Sequence, residues 1–255
     1  MVEYPTIPAG LRLLKIYIES GIPVYVFLKD SKKPGHAVLI IGHEDKYDHI
    51  VGPMDGKDWM DVSDFEKKVV VIDDNRPPYQ IGSPEALLPY HKIISYIVPL
   101  PRHTNLDAQA TFNICQEIFK DERFGLKQFG ARWLTRLLLT GSHSFKMFLL
   151  KKSGLDEALK SFLVRLSMPK YVWICEIYKS EDFTREEKTS AGILILDSTG
   201  SKSISSVLFY YIDNKSILYN DNALTGTRVL KQIKKPFKMA VYKHNLKGAW
   251  NGWKL

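Results

Sequence analysis

Hydrophobic positions along the chain change their period several times, and each change marks an element. Leu11, Leu14 and Ile18 recur at helical spacing with Arg12 and Lys15 between them, and Gly21 ends that helix. A β-branched and aromatic run follows, Ile22-Pro-Val-Tyr-Val-Phe-Leu28. A polar turn over residues 29–34 separates it from a second run, His36-Ala-Val-Leu-Ile-Ile41, which Gly42 closes. Two such runs across a short turn predict an antiparallel hairpin. Their near-continuous apolarity places both strands centrally in a covered sheet. A polar stretch over residues 43–68 leads to a third strand, Val69-Val-Val-Ile72, which stops at Asp73-Asp74-Asn75 and the rigid Pro77-Pro78. A fourth run over residues 93–98 is bounded by Pro99 and Pro101. Those prolines cannot extend a sheet ladder, so they mark a domain boundary.

From Asn105 the period is helical. Ala108, Phe112, Cys115 and Phe119 predict one helix, and Trp133, Leu134, Leu137 and Leu138 a second. Leu155, Leu159, Phe162, Leu163 and Leu166 predict a third. Gly141-Ser-His-Ser144 reads as a loop between helices. After Pro169 strands return, over residues 171–177, 193–196, 207–212, 216–219 and 239–242, with a hairpin turn at Asp213-Asn214-Lys215. The expected class is therefore α+β. An antiparallel sheet with helices occupies residues 1–100, and residues 101–255 hold a helical segment followed by a second antiparallel sheet. No repeat at a fixed period and no low-complexity segment is present.

Composition narrows the function classes. With 255 residues and 45% hydrophobic content, the chain can bury one large core or two modest ones. No apolar run approaches the roughly 20 residues that cross a bilayer, so no membrane span is expected. Two cysteines, Cys115 and Cys175, are too few for a disulfide framework and lie in no cluster with metal-ligand spacing. A reducing, cytoplasmic setting follows, with neither metal nor organic cofactor. The net charge of +8 raises the question of an anionic partner, but it is scattered along the chain. The densest stretch, residues 231–238, has four lysines and no aromatic stacking pattern, and reads as a solvated face rather than a nucleic-acid site. The alternative function is a non-catalytic basic interaction module that binds an acidic protein or nucleic acid.

Candidate chemistry centres on His36 and the pair Asp73 and Asp74. A thiol enzyme needs a thiolate, an imidazole that pairs with it, and a side chain that holds the imidazole in one tautomer. Here a histidine opens one central strand and aspartates close the next. The order Gly-Ile-Pro-Val-Tyr-Val, a polar turn, Gly-His-Ala-Val-Leu-Ile-Ile-Gly, then a strand ending in aspartate resembles the papain-like cysteine peptidases of the bacteriocin-processing type, over about the first 100 residues. The resemblance implies a papain-like sheet, a peptide or protein substrate, His36 as general base and Asp73 or Asp74 as its orienting partner. In that family a preceding helix supplies the cysteine at its N-terminus, where the dipole favours the thiolate.

No cysteine precedes Gly21. The expectation is that the chain is the C-terminal portion of a larger bacterial cysteine-peptidase-like protein whose upstream segment carries the thiol. Two alternatives stand beside it. One is a degenerate relative, a pseudoenzyme that keeps the fold to bind a peptide or partner. The other is a circular permutation in which Cys115 is the nucleophile, although Cys115 shares an apolar helix face with Ala108, Phe112 and Phe119. Cys175, in Val-Trp-Ile-Cys-Glu-Ile, reads as packing. His43 and His49 read as exposed, Asp197-Ser-Thr-Gly200 as a turn, and Phe209-Tyr-Tyr211 as sheet filling.

Overall fold

The computed structural model describes residues 7–30, 33–43, 59–64, 68–77, 79–87, 93–122, 125–130, 132–151, 157–183, 189–212, 216–220, 227–229 and 239–240. They form two units. One holds the described residues within 7–43 and 63–101, the other those within 59–62 and 102–240. In chain order the first half has α1 (Ile7–Glu19), β1 (Val24–Asp30), β2 (Lys33–His43), β3 (Trp59–Asp61), β4 (Val69–Ile72), β5 (Gln80–Gly82), α2 (Pro84–Leu87) and β6 (Ile93–Ile97). The second half has α3 (Ala108–Lys120), β7 (Trp133–Gly141), α4 (Ser142–Lys151), α5 (Glu157–Arg165), β8 (Tyr171–Lys179), α6 (Ser180–Phe183), β9 (Thr189–Ser190) and β10 (Gly192–Asp197). It continues with β11 (Val207–Ile212), β12 (Ser216–Asn220), β13 (Thr227–Val229) and β14 (Met239–Ala240). The class is α+β. No helix among the described residues is long and apolar enough to cross a membrane.

The first unit is an antiparallel sheet in the order β5-β4-β2-β1-β6, with the expected β1–β2 hairpin at its centre. Gly21, at φ 71°, ends α1 in a left-handed turn that a side chain would strain. Its N–H donates to the Ile18 carbonyl and that of Ile22 to the Tyr17 carbonyl, the paired bonds of a Schellman stop. Alternation then assigns the faces. Val24, Val26, Val38, Ile40, Val69 and Val71 are buried. The buried residues of α1, among them Leu14, Ile16 and Ile18, supply the helical side of this core.

The second unit carries a seven-stranded sheet in the order β13-β12-β11-β10-β8-β7-β3, antiparallel except where β3 runs parallel to β7. One row of cross-strand partners, Leu138, Ile174, Ile195 and Phe209, packs with Phe145 and Leu149 of α4 and Leu159 and Leu163 of α5. The alternate row, Leu137, Cys175, Leu194 and Tyr210, lies on the opposite face. There Phe119 of α3 meets the Tyr210 ring at 6.4 Å between centroids. The Phe209–Tyr211 segment is fully buried in the sheet, and residues 197–200 form the expected turn, in which Asp197 Oδ1 accepts the Thr199 N–H.

Three expectations change here. Residues 133–141 are a strand rather than a helix, because a strand covered on both faces is a near-continuous apolar run whose spacing imitates a helical stripe. Ser142 and His143 are then the opening of α4, not a loop. The polar stretch before Val69 holds β3, an edge strand of the second sheet, so the two units are interleaved in sequence. His49, the 213–215 turn and the lysines of residues 231–238 lie outside the described residues.

Candidate functional site

The β2–β4 register builds the site. Leu39 pairs with Ile72 and Ile40 with Val71, and one residue further the same antiparallel count sets Asp73, the first residue past β4, opposite Val38 and so diagonal to His36. His36 shares the parity of Val38 and Ile40, and Asp73 that of Val69 and Val71. Both side chains therefore leave the sheet on the face that carries the α1 core, and a diagonal pair is within reach of long side chains.

His36 Nε2 lies 2.8 Å from Asp73 Oδ1. Asp74 Oδ1 is 3.8 Å from the same nitrogen and its side chain is 84% exposed, against 11% for Asp73. Of the two carboxylates, Asp73 is the one that meets the His36 ring. Partial burial pushes its carboxyl up, but the Asn75 N–H, the His36 ring and the nearby Arg76 guanidinium outweigh this and hold it below the usual carboxylate value. The Asn75 N–H donates to Oδ1 at 2.9 Å, and Arg76 Nε is 3.6 Å from Oδ2. An ionised carboxylate only accepts, so Nε2 carries the proton and donates it to Asp73. The lone pair of the neutral ring then sits on Nδ1, where the Asn75 Nδ2 amide donates at 3.2 Å.

One ligand atom each from His36, Asp73 and Asp74 lies within 4.8 Å of the others. Imidazole and carboxylate are donors that divalent metals accept. With Arg76 beside Asp73 and Asp74 in solvent, the set is a loose one.

The other sequence candidates separate from this cluster. Cys115 lies in the second unit, inside α3 and only 2% exposed, with Phe112, Ile118 and Phe119 buried along the same helix. Cys175 is 1% exposed; burial pushes its thiol well above the usual range, and the hydrogen bond with Cys115 adds to this. Neither sulfur is open to a substrate. His43 is not exposed, as the polar stretch suggested; its side chain is 10% exposed and pairs with Glu19 at the end of α1. It stands at the far end of β2 from His36, roughly 23 Å along the strand at the usual rise. Asn75 is the residue of this cluster that sequence reasoning passed over. Its signal is the register, which no local pattern in Asp-Asp-Asn reveals.

Comparison with protein-family models, with curated proteins and with solved structures finds no match to this chain. A functional reading rests on the residues and their geometry.

Proposed function

We propose that residues 7–101 carry the base half of a papain-like cysteine hydrolase acting on a peptide or protein acyl group, with the thiol supplied from outside residues 1–255. The observation that carries this reading is the 2.8 Å contact from His36 Nε2 to an ionised Asp73, which leaves the basic nitrogen of the ring facing away from its orienter. In the reaction, Nδ1 takes the thiol proton, and sulfur bonds to the carbonyl carbon while the carbonyl oxygen takes the negative charge. Collapse breaks the C–N bond, and the imidazolium returns its proton to the leaving amine. Water, activated by the same nitrogen, then cleaves the thioester and regenerates the thiol. Cys115, buried in the second unit, has no part in this scheme. We place the chain in the cytoplasm, because two buried free thiols suit a reducing compartment.

The test supplies the thiol in trans. The full chain is incubated with a small alkyl thiol and a p-nitrophenyl peptide ester, and thiolysis is followed by nitrophenolate release. A positioned base contributes roughly 100-fold or more when its partner is also positioned. A freely diffusing thiol is not positioned, so the effect falls below that range, to about tenfold over His36→Ala and Asp73→Ala. Equal rates for wild type and His36→Ala would sink the proposal.

A further inference from the structure

The geometry points to Asn75 as a displaceable cover on the basic nitrogen of His36, a positioning residue whose amide stands where the sulfur of an incoming thiol must come. This inference rests on the reading of His36 as a general base and names what regulates access to it.

Asn75 touches the dyad in two separable ways. Its backbone N–H fixes Asp73 Oδ1 at 2.9 Å, and its side-chain Nδ2 lies 3.2 Å from His36 Nδ1. The first contact belongs to the turn after β4, in which the Arg76 N–H also donates to the Asp73 carbonyl. Any non-proline residue at position 75 could make it. The second needs an amide. Toward a neutral ring the NH₂ donates to the Nδ1 lone pair, as here. Toward an imidazolium, whose Nδ1–H donates, the same side chain turned over offers its carbonyl oxygen. Asn75 can therefore satisfy the ring in both protonation states, which neither an aspartate nor an alanine can do.

That capacity has a consequence for the reaction. A thiol forms its hydrogen bond along the direction the amide now occupies, so the two compete for one nitrogen. The Asn75 side chain is exposed and sits on a turn, where it can swing away without disturbing the sheet. The base is covered while no thiol is present and is uncovered by the segment that brings one.

The test reads the ring directly and does not depend on turnover. Diethyl pyrocarbonate acylates an imidazole nitrogen that offers a free lone pair, and peptide mass spectrometry follows His36, with the enclosed His43 as internal reference for an intact fold. Nitrogen-15 ring shifts report the tautomer in the same samples. Asn75→Ala is expected to keep the Nε2–H tautomer and speed modification of His36 by about fivefold, the factor that losing one ordinary hydrogen bond gives. Asn75→Asp, with acceptors then facing both nitrogens, is expected to shift the ring toward the doubly protonated form at neutral pH. Equal modification rates in wild type and Asn75→Ala, with the tautomer unchanged, would overturn the cover and leave the dyad standing. A wild-type ring protonated at Nδ1 instead would overturn the cover and the base assignment together.

Discussion

At His36 the two ring nitrogens have unlike neighbours, a carboxylate on one side and an amide on the other. A histidine that only closes a strand has no need of that asymmetry, whereas a base depends on it. The carboxylate side makes a prediction about stability. The folded Asp73 carboxyl lies below the usual carboxylate value, so its stabilising contribution is complete above about pH 4 and is lost as pH falls through the lower folded value. Asp73→Asn removes the charge and with it this dependence. Urea unfolding of both proteins at stepped pH is expected to show wild type ahead by about 1.5 kcal/mol at neutral pH, the scale of a hydrogen bond to a charged group. The gap should hold down to about pH 5 and shrink below about pH 4. A gap that stays constant from about pH 5 to about pH 2 would contradict the assignment of Asp73 as an ionised acceptor.

At the scale of elements, close strand packing sets a sharp constraint at Gly192. It opens β10 between Ile177 of β8 and Ile212 of β11, and a Cβ there would stand 2.5 Å from the Tyr211 carbonyl oxygen and 3.1 Å from the Ile212 Cα. Both are backbone atoms, so a strand rather than a side chain must move. Gly192→Ala is expected to lower stability by about 1–3 kcal/mol, the cost of overpacking, with a downward shift in the thermal midpoint as the measurement. An unchanged midpoint would mean that β10 and β11 are looser than their register implies. The strands of the two sheets differ in what the sequence discloses and what it hides. In β1, β2 and β4 one pattern delivers strand, face and site together, because turns with recognisable chemistry bound each run, His36 lies near the start of β2 and Asp73 just past the end of β4. In β7 the pattern misleads, since Leu137 and Leu138 are both buried, one on each face, and a double-sided strand keeps no alternation. Asn75 stayed hidden for a related reason. Its partner is fixed by the β2–β4 register, which depends on hydrogen bonds between distant segments and leaves no local mark in the turn.

Over the whole molecule, the chain crosses between its units more often than a division at the prolines anticipates. After β2 it contributes Trp59–Asp61 to the edge of the second sheet, and then returns to place β4 beside β2. A residue numbered among the strands of the first unit is thereby structural in the second. Trp59 pairs with Trp133 in parallel register, and its ring lies 5.7 Å from that of Phe112 and 5.0 Å from that of Phe119, so it joins the edge strand to α3. Trp59→Ala removes these contacts and leaves a gap beneath the helix. Because Trp59 is half-buried, the cost belongs at the low end for an aromatic truncation, about 3 kcal/mol. The loss should fall on the second unit, read as a lower urea midpoint in the near-ultraviolet circular dichroism of the buried tryptophans Trp133 and Trp173. In native buffer the His36 ring should keep its Nε2–H signature, since every described group that orients it lies within the first unit. An unchanged midpoint would show that β3 contributes nothing to its sheet. A His36 ring that changes its protonation would show instead that the crossing holds the site in place, and that the second unit takes part in the chemistry of the first.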